Sequence, residues 1–263
     1  MIGAITGDII GSVYEFNNIK TKAFPLFSPL SRFTDDTVLT VAIANAIISE
    51  TPYCDSIRSF GRAYPNAGYG SSFKNWLFSE NTAPYNSFGN GSAMRVSPVG
   101  FAFNSIDEVL KEAKLSAEIT HNHPEGIKGA QATALTIYLA RKGADRDTIK
   151  KEINDRFGYN LDRSIDEIRA NYTYDVSCQG TVPEAIISFL ESRSYEDAIR
   201  NAISIGGDSD TLACITGSIS EAFYGPVPED FYKKVEVLLP AELMGPVKTF
   251  YDVCMSSKYY QDR

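Results

Sequence analysis

The sequence has few cysteines, and no two of them stand close together. Four cysteines are scattered over 263 residues, and none forms a Cys-x-x-Cys pair. A zinc ribbon and a dithiol redox motif are therefore not indicated. Cys214 lies in an apolar helical run and is expected to be a core residue. Free, scattered cysteines fit a reducing compartment, so the sequence favours a cytoplasmic protein.

Long apolar runs and an excess of basic residues are also missing. No apolar run approaches the roughly 20 residues that a membrane-spanning helix needs. Asp8 and Glu15 interrupt the first apolar run, which no basic segment precedes, so a signal peptide is not expected. The formal net charge is −8. A surface of this sign should attract neither nucleic acid nor an anionic membrane.

Strand patterns are scarce, whereas helical patterns run through the chain. The alternation typical of strands is confined to one brief candidate at 172–178. Capping boxes begin at Ser105, Ser164 and Thr181. With no linker and no repeat, residues 1–263 are expected to form a single all-α domain. Besides the helix that follows Asp208, the predicted helices cover residues 1–16, 35–49, 55–64, 72–78, 105–120, 124–143, 147–157, 164–172, 182–192, 195–204, 228–239 and 241–256.

The first predicted helix carries a stripe of glycines. Gly3, Gly7 and Gly11 are four residues apart and therefore share one face. Glycine inside a helix costs about 1 kcal/mol relative to alanine. Three of them on one stripe predict that the backbone of a neighbouring element lies very close.

Two stretches far apart in the chain place paired carboxylates at the start of an apolar helix. Thr34-Asp35-Asp36-Thr37 opens one, and Gly207-Asp208-Ser209-Asp210-Thr211 opens the other. Aspartates at a helix N-terminus are often caps that stabilise the helix by about 0.3–1 kcal/mol. Here both helices are too apolar to lie on the surface, which favours aspartates in a partly buried cleft. We expect the two helix starts to meet there.

Carboxylates gathered in a cleft of low dielectric repel one another or take up protons. A divalent cation removes that conflict. Carboxylate, hydroxyl and water oxygens suit Mg²⁺ or Mn²⁺ better than Zn²⁺. The pattern therefore predicts a site for a hard divalent cation. A purely structural role for such a cation, holding the helix ends together, remains an alternative.

A glycine-rich segment before the middle of the chain is a second candidate site. Within 87–95, Gly89 and Gly91 would let backbone amides approach a ligand closely, with Arg95 near as a counter-charge. A simple turn before a helix is the alternative. His121 and His123 flank Asn122, but no third soft ligand stands near, so we expect a helix entry or a hydrogen bond to a ligand rather than a zinc site.

Taken together, these stretches resemble the ADP-ribosylglycohydrolase family, which includes dinitrogenase reductase-activating glycohydrolase and the ADP-ribosylhydrolases. The resemblance covers most of the chain and follows the order of the family. The matching stretches are Gly3-x-x-x-Gly7-Asp8-x-x-Gly11-x-x-x-Glu15, Phe33-Thr34-Asp35-Asp36-Thr37, Gly89-Asn90-Gly91-x-Ala93-Met94-Arg95, Thr120-His121 and Gly207-Asp208-x-Asp210-Thr211.

The resemblance implies an orthogonal multi-helix domain with a dinuclear metal cleft that holds two Mg²⁺, or Mn²⁺. It implies metal ligands at Thr34, Asp35, Asp36, Asp208, Asp210 and Thr211. Glu15, Asp36 and Asp210 are the candidates for moving the proton. The candidate substrate-binding residues are Ser87, Phe88, Gly89, Asn90, Gly91, Arg95, His121, Gly207 and Ser209. His123 matches no role in the family.

The activity implied is metal-dependent hydrolysis that releases ADP-ribose from a modified protein side chain. Arginine-linked ADP-ribose is the first expectation for the substrate. Serine-linked ADP-ribose and O-acetyl-ADP-ribose are alternatives within the family. A module that binds ADP-ribose without cleaving it is a further alternative, although such a reader has no need of so many carboxylates.

Overall fold

Helices make up the fold. The computed structural model describes residues 1–254, and each named element within them is a helix. In chain order they are α1 (Ile2–Gly11), α2 (Asp35–Ser49), α3 (Tyr53–Ala63), α4 (Ser71–Phe78), α5 (Gly91–Met94), α6 (Ser97–Ala102), α7 (Ile106–Glu118), α8 (Pro124–Arg141), α9 (Arg146–Phe157), α10 (Ile165–Asn171), α11 (Cys178–Leu190), α12 (Tyr195–Ser204), α13 (Ser209–Tyr224), α14 (Glu229–Leu238) and α15 (Ala241–Cys254).

The predicted all-α fold is confirmed. Several predicted helices agree within a residue or two at each end, and residues 195–204 agree at both ends. Short helices α5 and α6 were not predicted, and the predicted end of the last helix, Ser256, lies outside the described residues. None of the helices in residues 1–254 is long and apolar enough to cross a membrane.

Helix α13 forms the centre of the molecule. Its residues from Ser209 to Ala222 are all buried, and it packs against α1, α8, α11 and α12. Cys214 is fully buried within it, as the apolar pattern predicts. A helix that is apolar on every side needs neighbours on every side, and these four provide them.

Helix α1 lies against α13 at backbone contact distance. A Cβ atom added at Gly3, Gly7 or Gly11 would overlap backbone atoms of Gly217, Ala213 and Ser209–Asp210 respectively. Hydrogen in place of a side chain is thus what allows the two helices to touch. The close neighbour predicted from the glycine stripe is confirmed, and it is the helix that carries Asp208 and Asp210 at its start.

Asp8 connects α1 to the start of α2. Its carboxylate is fully buried and accepts hydrogen bonds from the Thr34 amide (2.9 Å), the Thr34 hydroxyl (2.7 Å), the Thr37 amide (3.1 Å) and the Thr37 hydroxyl. A carboxylate from another helix therefore satisfies amides that the first turn of α2 leaves without a partner. This contact holds the N-terminus of α2 on α1, and thereby beside α13.

The first helix is shorter than predicted. It ends at Gly11 rather than at residue 16, because polar side chains take over the backbone groups that follow. The Ser12 hydroxyl donates to the Ile9 carbonyl, and the Asn18 side chain donates to the carbonyls of Tyr14 and Glu15. Such local hydrogen bonds compete with a helix. Glu15 consequently stands on a turn instead of a helix.

Two local predictions in the region 172–192 are wrong. Residues 172–178 form no strand; the contact there is a single bridge between Gly89 and Ser177. Thr181 does not begin a helix, because α11 already starts at Cys178 with Ser177 as its cap. Glu184 instead pairs with Arg163 at 2.9 Å. The capping boxes at Ser105 and Ser164 are present.

We predict that Gly7→Ala destabilises the protein although alanine favours helix formation. The added methyl group would overlap the Ala213 carbonyl, and overpacking of this kind costs about 1–3 kcal/mol. Gly245→Ala in α15 is the matched control, since a Cβ there meets no atom within 4 Å. It should stabilise the protein by about 0.5–1 kcal/mol. Urea unfolding of both variants measures the difference, and equal effects would contradict the packing argument.

Candidate metal centre

A polar cavity of about 360 Å³ opens where the starts of α2 and α13 meet the turn after α1. Acidic residues line one side of it, and residues of the glycine-rich segment line another. The lining residues are Glu15, Asp35, Asp36, Leu39, Gly68, Gly70, Ser71, Ser72, Phe73, Tyr85, Ser87, Gly89, Asn90, Gly91, Met94, Arg95, His121, Tyr174, Val176, Asp208, Asp210 and Thr211. The two acidic stretches of the sequence therefore share one cavity.

Three carboxylates come together at the α13 end of the cavity. Glu15, Asp208 and Asp210 each place an oxygen within 4.8 Å of the others. Asp36 belongs to the same cluster, because the Thr211 hydroxyl donates to its Oδ2 at 3.3 Å. Asp35, beside it, also faces the cavity. Five carboxylates from three separate segments thus converge.

Burial and mutual repulsion raise the pKa of each of these acids. Burial is the main cause for Asp35, Asp36 and Asp210, whose neighbouring carboxylates raise the pKa further. Burial likewise raises the pKa of Asp208 to about 6 and that of Glu15 to about 7. None of the five forms an ion pair with a basic side chain among the described residues. The charge of Arg32 acts against the rise in the pKa of Glu15 without forming an ion pair, so the cluster keeps an excess of acids.

The cluster fits a hard divalent cation. Asp36 Oδ1 is buried and has no hydrogen-bond partner within residues 1–254. An oxygen in that position is costly unless a ligand meets it. The donor set consists of carboxylate and hydroxyl oxygens without sulfur or histidine nitrogen, which suits Mg²⁺ or Mn²⁺. Asp35, Asp36, Asp208, Asp210 and Thr211 line the cavity where such a cation would sit.

Thr34 stands apart from the other expected ligands. Its hydroxyl donates to Asp8 and accepts from the Asp36 amide at 3.3 Å, so it caps α2. It is buried and does not line the cavity. In this arrangement its hydroxyl donates a hydrogen bond to Asp8 and one lone pair accepts from the Asp36 amide, so its role as a metal ligand stays a prediction.

The glycine-rich segment forms the opposite side of the cavity. Ser87, Gly89, Asn90, Gly91 and His121, which the sequence offers as candidate substrate-binding residues, line it. Several of its amides are already used: the Ser87 amide donates to the Thr120 carbonyl, the Gly89 amide to Ser87 Oγ and the Asn90 amide to the Val176 carbonyl. The Asn90 side chain donates to Asp208 Oδ2 at 2.7 Å and so joins this segment to the acidic cluster.

Some expected substrate-binding residues lie outside the cavity. Phe88 is half exposed, and its ring packs against His123. Gly207 has a left-handed backbone (φ 78°), and its amide donates to the Asn18 side chain. Ser209 is fully buried and donates to the Gly207 carbonyl. The last two shape the backbone before α13 without facing the cavity.

Arg95 lines the base of the cavity but is fully buried. Its guanidinium donates to the Ser116 carbonyl and to Thr120 Oγ1, both at 2.9 Å. Burial lowers the pKa of Arg95 to about 10, which still leaves the side chain charged at neutral pH. The charge of Arg95 therefore acts on the cavity electrostatically, from a buried position, and not through direct contact with a ligand.

Tyr174 and Asp8 are site residues that the sequence analysis did not assign. The Tyr174 hydroxyl donates to Glu15 Oε1 at 3.2 Å, and its ring stacks on Phe16 with centroids 6.5 Å apart. Residue spacing carries no signal for this contact, since 159 positions separate the partners. Asp8 belongs to the Gly3–Glu15 motif, but its burial beneath α2 follows only from the packing of the helices. His123 caps α8 through its Nδ1, which accepts from the Glu125 amide.

Comparisons with known proteins identify the family of the chain. The family model described as ADP-ribosylglycohydrolase matches residues 1–257. Mouse ADP-ribosylhydrolase ARH3 is 27% identical over 318 residues, covering 90% of this chain and 86% of the relative. ADP-ribosylarginine hydrolase Tri1 of Pseudomonas putida (strain GB-1) is 25% identical, covering 89% of this chain and 72% of the relative.

A solved structure shares the fold. The chain superimposes on one titled "ADP-ribosylglycohydrolase-related protein complex" with a TM-score of 0.75 and 21% identity, covering 97% of this chain and 96% of that one. The family model spans nearly the whole sequence and agrees with the motifs that pointed to it. This chain belongs to the ADP-ribosylglycohydrolase family, a family of glycosidic-bond hydrolases.

Proposed function

We propose that the protein releases ADP-ribose from a modified protein side chain by divalent-cation-dependent hydrolysis. The observation that carries the proposal is the cavity with five converging carboxylates, one of which has a buried oxygen without a partner. Family membership supplies the substrate class. A purely ADP-ribose-binding module would gain nothing from the electrostatic cost of this cluster.

Two Mg²⁺, or Mn²⁺ in their place, are the proposed cofactors. Asp35, Asp36, Asp208, Asp210 and Thr211 would hold them, with Thr34 as a further ligand, since its hydroxyl can donate to Asp8 and still offer a lone pair to a cation. When bound, such cations would neutralise the carboxylates and coordinate hydroxyl oxygens of the ribose next to the scissile bond. The Asn90 amide, bonded to Asp208 Oδ2, keeps that carboxylate oriented.

Glu15 is the proposed proton carrier. Burial raises its pKa to about 7 in the metal-free chain, and bound cations would lower that value, which favours the carboxylate form and a role as general base. The Tyr174 hydroxyl holds one of its oxygens and leaves the other for the proton. Asp36 and Asp210 are the alternative carriers, although their role as ligands would compete with proton transfer.

Ser87, Asn90, Gly91 and His121 are proposed to bind the diphosphate and adenosine part of the substrate. Gly89 lines this side without a side chain, and the buried Arg95 also lines the cavity and carries positive charge. Gly68 and Gly70–Phe73 also line the cavity, and a Cβ added at Gly68 would lie 3.2 Å from Asp35 Oδ1. In this proposal the substrate extends from the acidic cluster toward the glycine-rich segment.

Arginine-linked ADP-ribose is the proposed substrate, because one relative is named as an ADP-ribosylarginine hydrolase. Serine-linked ADP-ribose and O-acetyl-ADP-ribose are the alternatives within the same chemistry. Release of free ADP-ribose from each of the three substrates, with and without chelator, distinguishes them. Binding of ADP-ribose without turnover of any of them would favour the non-catalytic module.

We predict that Asp210→Asn lowers kcat roughly 10²–10⁴-fold, the range typical of losing a group that moves a proton or stabilises charge. Asp230→Asn on the exposed surface of α14 is the control and should retain activity. Circular dichroism should show both variants folded and helical. Full wild-type turnover in excess chelator would exclude the divalent-cation scheme.

We predict that Mg²⁺ raises the melting temperature more at pH 8 than at pH 6. The folded-state pKa values of Asp208 (about 6) and Glu15 (about 7) are raised above those of the unfolded chain. Stability from these groups is therefore lost in metal-free protein as pH rises through the folded pKa values. At pH 6 protons compete with the cation, whereas at pH 8 the carboxylates are free to bind it.

Thermal melts with and without MgCl₂ at the two pH values measure this effect. Asp208→Asn should reduce the Mg²⁺-dependent increase at pH 8, while Asp230→Asn should keep it. An increase that is the same at both pH values, or that survives Asp208→Asn unchanged, would contradict a carboxylate cation site.

A further inference from the structure

A chain of three buried polar side chains ends at the cavity. The Arg95 guanidinium donates through Nη2 to Thr120 Oγ1 at 2.9 Å, and Thr120 Oγ1 lies 2.7 Å from His121 Nδ1. Arg95 and Thr120 are fully buried, and His121 is 4% exposed. Water therefore has little access to the Thr120 hydroxyl and to His121 Nδ1, which must satisfy one another. Arg95 Nε and Nη1 are buried without a hydrogen-bond partner among residues 1–254.

The direction of each hydrogen bond follows from the chemistry of the groups. A guanidinium has no acceptor, so Arg95 must donate to the Thr120 oxygen. If His121 Nδ1 also carried a proton, the Thr120 oxygen would accept twice and its own hydrogen would be left buried without an acceptor. The arrangement that satisfies both Thr120 and His121 has the Thr120 hydroxyl donating to an unprotonated His121 Nδ1.

The tautomer of His121 then determines whether its ring presents a hydrogen-bond donor or an acceptor to the cavity. With Nδ1 as acceptor, the neutral ring carries its proton on Nε2. Nε2 lies beside the glycine-rich segment, since a Cβ added at Gly91 would come within 3.1 Å of it and one added at Gly89 within 3.6 Å. Nε2 makes no hydrogen bond to the residues that the structure describes, and the ring lines the cavity.

We propose that Thr120, oriented by Arg95, is a positioning residue that fixes His121 as the Nε2–H tautomer, so that Nε2 donates to an acceptor oxygen of the ligand beside Gly91. This inference rests on the proposed function for the identity of that ligand, the diphosphate or ribose part of ADP-ribose. Thr120 and Arg95 act through His121 and do not touch the substrate. A ligand that offers a donor at this point is disfavoured.

The electrostatics of the site agree with a neutral ring. Burial, and then the positive charge of Arg95, lower the pKa of His121 well below its usual value. The imidazole is therefore uncharged at neutral pH and can act as a donor from one nitrogen only. Gly91 contributes by leaving room for that nitrogen, because any side chain there would crowd it.

The test begins with ¹⁵N NMR of the histidine rings in the intact protein. The chain has two histidines, so the assignment is simple. His123 is an internal reference, because the backbone amide of Glu125 donates to its Nδ1 independently of Thr120. We expect a pyridine-like Nδ1 and a protonated Nε2 for His121. A protonated Nδ1 in the wild-type ring would overturn the proposal.

Thr120→Val removes the hydroxyl and keeps the shape of the side chain. We expect the Nε2–H tautomer of His121 to lose its dominance and the Kd for ADP-ribose, measured by calorimetry, to rise roughly tenfold. Thr120→Ser retains the hydroxyl and should restore both properties. Thr136→Val is the matched control, since its buried hydroxyl donates to the Ala132 carbonyl in α8, away from the cavity.

The outcomes separate this inference from the proposed function. A folded Thr120→Val protein with the wild-type tautomer and wild-type Kd overturns the role of Thr120, as does an equal loss of affinity in Thr136→Val. If wild-type protein fails to bind ADP-ribose, the proposed function fails, while the NMR spectra still decide whether Thr120 sets the tautomer. Melting temperatures identify any variant that is unfolded.

Discussion

The buried carboxylate of Asp8 is the contact on which the site depends. It belongs to α1 and satisfies amides and hydroxyls at the first turn of α2, through Thr34 and Thr37. Helix α1 in turn touches α13 along its glycine stripe. These two contacts bring the starts of α2 and α13 to one cavity. An unsatisfied carboxylate at this depth would be costly, so the α2 terminus and Asp8 require each other.

The same geometry creates an electrostatic conflict. Asp35 and Asp36 are brought toward Asp208 and Asp210 without a basic side chain paired to them among the described residues. Cores ordinarily avoid such groupings, and a protein departs from this rule mainly where function requires it. The packing of α1 on α13 stabilises the fold against the electrostatic repulsion within the cluster. A bound cation would remove that repulsion.

Hydrogen bonds connect the acidic cluster and the glycine-rich segment across the cavity. Asn90 connects the glycine-rich segment to Asp208, and the bridge at Gly89 connects it to the segment before α11. Beneath the glycine-rich segment, buried Arg95 bonds Thr120, and Thr120 bonds His121. The Tyr174 hydroxyl donates a hydrogen bond to Glu15 in the acidic cluster. Residues on rigid helices and residues on turns therefore share hydrogen bonds, which limits how far either side can move alone.

The sequence by itself determined the all-α class and the two acidic stretches, and its motifs identified the family, because these are local features. Only the tertiary structure decided that the two stretches share one cavity. Caps such as Ser105, the glycine spacing of α1 and the acid–threonine stretches depend on neighbours within a few residues. Many expected lining residues, including Asn90 and His121, proved to face one cavity. Their chemical roles remain predictions.

Only the tertiary structure decided the depth and direction of the side chains. The end of α1 at Gly11, the burial of Arg95 and the contact of Tyr174 with Glu15 all depend on partners that residue spacing does not reveal. Ser209 stands in a site motif yet points into the core. Short-range patterns report helix periodicity and caps, whereas burial and orientation are set by packing between segments far apart in the chain.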